Sequence, residues 1–129
     1  MRQLLLALVV VSASASVAFS QGLRAVQPLP GYTCMMLSAP PTASIEQIPQ
    51  IPVRSAPSVD APVTSILPSV VVVPFPLQAT SGFLLAVFDE THKGWVPASA
   101  LKPWSSPSNQ NRRCYPSIMS NGSYGFSFH

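Results

Sequence analysis

Two cysteines, two histidines and one adjacent acidic pair are the residues of this chain best suited to chemistry. Cys34 and Cys114 could supply a nucleophile, metal ligands or a disulfide. A reactive thiolate needs a nearby base to hold its proton, and only His92 and the terminal His129 are available. A metal centre needs three or four converging ligands, a number the sparse histidines and cysteines do not supply at any ligand-like spacing. Asp89 and Glu90 are neighbours, so on a strand or hairpin they point to opposite sides and do not converge as an acid and base. Gly-x-Ser-x-Gly, a phosphate-cradling glycine loop and His-Glu-x-x-His are all missing. The expectation is therefore a non-catalytic protein with no cofactor and no metal.

The start of the chain says where the cysteines go. Met1-Arg2-Gln3 is a short cationic lead, residues 4–11 form an unbroken apolar run, and Ala18-Phe19-Ser20 places small residues where a signal peptidase reads them. The run is far shorter than the roughly 20 residues a bilayer demands. Residues 1–20 are read as a signal peptide cleaved before Gln21, and the mature chain as exported, periplasmic or secreted, and not membrane-spanning. Without Arg2, six basic residues face four acidic ones, a net charge of about +2. Nucleic-acid binding needs Lys and Arg clustered on one face, so a nucleic-acid partner is not expected. Arg112-Arg113 is the only basic pair, and a solvated loop is its simplest reading.

In an oxidising compartment two cysteines normally pair. A Cys34–Cys114 bridge would close a loop of about 80 residues, which the chain-entropy treatment rates at roughly 4 to 4.5 kcal/mol. The alternative, a reactive or metal-binding thiol, meets the shortage of partners described above.

Fifteen prolines, all after the leader, exclude long helices almost throughout. Residues 21–31 read as an extended lead-in, and 32–37 as a short strand or one helical turn. Pro40-Pro41 stops that segment, and residues 42–47 suit a brief helical turn capped by Thr42 or Ser44. From Ile48 the pattern is strands bounded by turns: 51–53, 63–67, 70–73 and 83–88, the last being the strongest. Pro74 and Pro76 beside Phe75 predict a strand that is an edge or sharply bent, because neither proline donates to a ladder. Asp89 to Gly94 is a polar turn, Trp95-Val96 resumes a strand, and residues 98–101 fit one tight helical turn. Short strands at this spacing predict an all-β fold, a small barrel or sandwich. Residues 105–111 read as a polar linker. The Gly and Ser alternating with aromatics in Tyr124-Gly125-Phe126-Ser127-Phe128 suit an added edge strand, a flexible tail or an interaction motif, an ordered strand being preferred.

Val53-Arg54-Ser55-Ala56-Pro57-Ser58, followed some forty residues later by Gly94-Trp95-Val96-Pro97 and then Leu101, resembles a bacterial SH3-like (SH3b) domain over roughly residues 48–103. Ala56 departs from the glycine common there, and the middle strand is an apolar run where the family pattern is acidic or polar. The resemblance implies a small SH3-like barrel at 48–104 with an N-terminal extension, 21–47, and a C-terminal extension, 105–129, and the Cys34–Cys114 disulfide expected from the compartment would join the two extensions. It implies an exported module that binds a peptide, an envelope protein or peptidoglycan, with Phe75, Trp95 and Trp104 as candidate contacts. A structural or assembly component of an envelope complex is the alternative, and a small cysteine hydrolase a remote one. Gly94 suits a turn with positive φ. Trp95 can pack in the core or touch a ligand, whereas Trp104, at the domain's edge, is the better candidate for an exposed ring.

Overall fold

The computed structural model describes residues 22–38, 44, 46 and 48–129. The expected signal peptide, and most of the helical turn expected over 42–47, lie outside them. Among the described residues ten strands form two sheets, so the all-β expectation holds. In chain order they are β1 (Ala25–Pro28), β2 (Tyr32–Leu37), β3 (Pro52–Arg54), β4 (Val63–Ile66), β5 (Val70–Pro74), β6 (Phe83–Val87), β7 (Lys93–Pro97), β8 (Leu101–Pro103), β9 (Cys114–Met119) and β10 (Tyr124–Phe128). A single 3-10 turn, Ala98–Ala100, joins β7 to β8.

The larger sheet has seven strands in the order β4-β3-β7-β6-β5-β2-β8, with β4 and β8 as its edges. One face of this sheet gathers a single aliphatic core: Met35 and Leu37 of β2, Val53 of β3, Val71 and Val73 of β5, Leu84 and Ala86 of β6, Val96 of β7 and Leu101 of β8. The period-2 alternation of strands puts them there. Each of these Val, Leu and Met side chains contributes about 1.5–3 kcal/mol by leaving water, and Ala86 less. Strand β2 belongs to this sheet, between β5 and β8, although it lies well before the segment that resembles an SH3b domain.

The smaller sheet, β1-β9-β10, covers the other face. Val70, Val72 and Val87 of the large sheet and Met119, Tyr124 and Phe126 of the small one line a common cleft between the two. Val72 is only 1% exposed although it points away from the main core. The unbroken valine run of β5 is thereby explained, because a strand covered on both faces has no polar side. The tail, for which an ordered strand is the preferred expectation, is the second strand of a hairpin with β9, with positive φ at Gly122.

Three expectations are corrected. Strand β5 is neither an edge nor interrupted by prolines. It lies between β2 and β6, and Pro74 is its last residue, opposite Tyr32. The next donor, the Phe75 N–H, bonds the Gly31 carbonyl at 2.9 Å, and Pro76 lies beyond the ladder after a cis peptide bond. Gly94 has no positive φ; it sits within β7, where an added Cβ would strike Val53 Cγ1 and lie 3.0 Å from the Arg54 carbonyl oxygen. Close approach of β3, and not turn geometry, requires glycine there. Trp95 is half-buried and points away from the core that its neighbour Val96 enters, because adjacent strand residues face opposite ways.

Candidate functional site

Cys34 and Cys114 form the expected disulfide, with an S–S distance of 2.06 Å and Cα atoms 6.2 Å apart. It ties β2 of the large sheet to β9 of the small one. Neither sulfur is a thiolate, so a cysteine nucleophile has no residue to act through. A disulfide is the mark of an oxidising, non-cytoplasmic compartment. Among the described residues no helix is long and apolar enough to cross a membrane, and no three His, Cys, Asp or Glu residues gather as a metal site.

Beside the disulfide is a cleft of about 370 Å³ lined in part by Thr33, Trp104, Gln110, Arg112, Arg113 and Tyr115. Each wall has a local cause. Trp104 follows β8, and its backbone N–H bonds the Cys34 carbonyl at 3.2 Å, which places the ring next to the bridge. Its indole stacks on Phe128, centroids 4.9 Å apart and 28° between planes. Phe128 in turn leans on Phe126 at 5.2 Å. The Arg112 guanidinium lies 5.6 Å from the Phe128 centroid, within cation–π range. Arg113 and His129 exchange two backbone hydrogen bonds, 3.0 and 3.1 Å, extending the β9–β10 ladder past Phe128. Tyr115 stacks on the His129 ring at 4.2 Å. Backbone ladder, disulfide and stacked rings thus hold this corner in one arrangement.

The three aromatic candidates do not converge. Trp104 lines the cleft, half-buried against Phe128, so it is less exposed than sequence suggests. Trp95 sits on β7 opposite Arg54 and Leu85, four places across the sheet from β8. Phe75 stands 60% exposed just past the end of β5, near Gly31. Tyr115 and Arg112 were not singled out as site residues. The alternation of Tyr124, Phe126 and Phe128 was visible, but nothing local marks Phe128 as the ring that meets both Trp104 and Arg112.

Charge is distributed unevenly along β10. At its start, the Tyr124 N–H bonds the Phe88 carbonyl at 2.7 Å, beside the Asp89–Glu90 turn. Burial pushes the Tyr124 phenol above its ordinary pKa, helped by Tyr32, Glu90 and Asp89. Asp89 accepts hydrogen bonds from the backbone N–H groups of Thr91 and His92, both 2.7 Å, and its other oxygen lies 2.7 Å from His92 Nδ1. Those bonds, the one from the Thr91 backbone foremost, hold the Asp89 carboxyl well below the usual carboxylate range. At the far end of β10, roughly 13 Å along the strand, Arg112 and Arg113 form no ion pair with an Asp or Glu side chain among the described residues.

No family model, no curated protein and no solved structure matches this chain.

Proposed function

We propose that this chain is an exported, non-catalytic binding module of the cell envelope, SH3-like in its central segment, which holds peptidoglycan in the cleft beside the disulfide. The preorganised aromatic and polar lining around Trp104 carries the reading. A ring backed by Phe128 offers a flat face for a sugar or peptide. Thr33, Gln110 and the arginines offer hydrogen bonds, and little side-chain freedom is lost when such a corner binds. The disulfide and the leader-like residues 1–20 support export to a periplasmic or secreted location. Trp95 and Phe75 remain outside the cleft and have no part in this reading.

The test is cosedimentation with purified peptidoglycan sacculi. The wild-type protein is expected in the pellet, and Trp104→Ala in the supernatant while still folded at the assay temperature, with a melting temperature lowered by loss of the Phe128 stack. Gln110→Ala removes no ring contact and serves as a second variant if Trp104→Ala unfolds. A wild-type protein that stays in the supernatant overturns the proposal. A second reading, a structural component docked onto an envelope assembly, draws on β4. This edge strand is exposed along its whole length, with Val63 53% and Ile66 50% exposed, and edges of this kind accept strands from partners. A stable complex isolated from envelope extracts and dispersed by Ile66→Lys, together with no sedimentation on sacculi, favours that reading.

A further inference from the structure

Resting on the cleft reading above, we infer that Arg112 and Arg113 make the cleft a carboxylate-binding site, so that the ligand is recognised by an acidic group and not by its neutral sugar or peptide backbone alone. Both arginines line the same cleft as Trp104 and Tyr115. The chain's four acidic residues lie elsewhere: Glu46 before β3, Asp60 in the β3–β4 loop, and Asp89 and Glu90 at the opposite end of β10. Neither arginine forms an ion pair among the described residues, so both line the cleft as cations that an incoming carboxylate can meet. Arginine suits the task because its planar fork matches the two carboxylate oxygens. The Phe128 ring under Arg112 and the backbone pairing of Arg113 with His129 limit the freedom that binding would otherwise remove.

The carboxylate could belong to a peptide stem or to a sugar acid. Soluble poly-L-glutamate and polygalacturonate, each titrated against the full chain, separate these sources. Binding of one or both is expected to weaken about tenfold in Arg112→Gln and again in Arg113→Gln, the size expected for one charge-assisted hydrogen bond. Lys93→Gln removes the same charge from the far hairpin, and it is expected to change binding little. Equal weakening by Lys93→Gln, or no binding of either polymer, overturns the inference.

A parallel measurement needs no variant. Sacculi whose carboxyl groups have been converted to amides are expected to release the wild-type protein that native sacculi retain. Equal retention on amidated and native sacculi overturns the carboxylate site while leaving the peptidoglycan reading intact. Arginine-dependent polymer binding without sedimentation on native sacculi has the reverse meaning: the carboxylate site stands and peptidoglycan is not its source.

Discussion

The two layers of this molecule are held together by different chemistry. The seven-stranded sheet closes on an aliphatic core in which Val53, Ala86 and Val96 have no exposure at all. The three-stranded layer has little aliphatic mass of its own, and most of its side chains are half-buried. What anchors it is one disulfide, the Tyr32–Tyr124 edge contact at 5.7 Å and the Trp104–Phe128 stack. Three short strands bury too little to stand alone, so the small layer depends on a covalent tie and on rings that reach across. Two of these anchors, the disulfide and the Trp104–Phe128 stack, also build the cleft. Its geometry is therefore only as stable as the weaker layer.

The largest expected effect comes from cutting the tie. Replacing both Cys34 and Cys114 by serine restores freedom to a loop spanning 80 residues, and a loss of roughly 4.5 kcal/mol is expected from chain entropy. Urea unfolding measures the loss. Hydrogen exchange sharpens the contrast, because amides of β9 and β10 are expected to lose protection before those of β5 and β6. Uniform loss across both sheets would mean that the layers form one cooperative unit.

Phe128→Ala is expected to come next, at about 2–3 kcal/mol, below the range for a fully buried phenylalanine because Phe128 is half-exposed. The diagnostic result is a larger loss of sacculus binding than Trp95→Ala produces, since Trp95 lies on β7, four strands across the sheet from β8. Gly94→Ala probes the large sheet. A Cβ forced against Val53 is expected to cost about 1–2 kcal/mol through overpacking. Cleft binding should survive this change as long as the protein stays folded at the assay temperature. Loss of binding in a folded Gly94→Ala protein would show that strain in the large sheet reaches the cleft.

The smallest effect concerns pH. The folded state depresses the Asp89 pKa, so the stability this residue contributes is complete above its ordinary value, near 4, and is lost as pH falls through the lowered value. Wild-type protein is expected to lose melting temperature on acidification below pH 4, and Asp89→Asn to lose less over the same interval. Identical pH profiles would remove Asp89 from the stability of the β6–β7 turn.

Strand positions were the most legible part of the sequence. The runs at 63–67, 70–73 and 83–88 emerged as β4, β5 and β6 with boundary differences of one residue, because alternation and turn residues are local signals. The disulfide was legible too, from the leader and the pairing of two cysteines. The cleft was not. Arg112-Arg113 read as a solvated loop, and both are indeed exposed and outside the strands, but nothing local showed that this loop borders a cleft or that Trp104 is half-covered by Phe128. The valine run of β5 was misread for a related reason: the prolines beside it suggested a strand that is an edge or sharply bent, and the hairpin that covers its second face comes from residues some fifty positions later.

By itself, the sequence determined an all-β chain of short proline-bounded strands, a leader-like start and two cysteines with no better use than each other. These follow from backbone restrictions and compartment chemistry, which act over a few residues at a time. Tertiary structure alone decided that β2 enters the large sheet, that the tail covers the outer face of β5, and that Trp104, Phe128 and Arg112 meet beside the bridge. Those outcomes depend on which apolar face finds which cover, a choice made by long-range packing that no local pattern encodes.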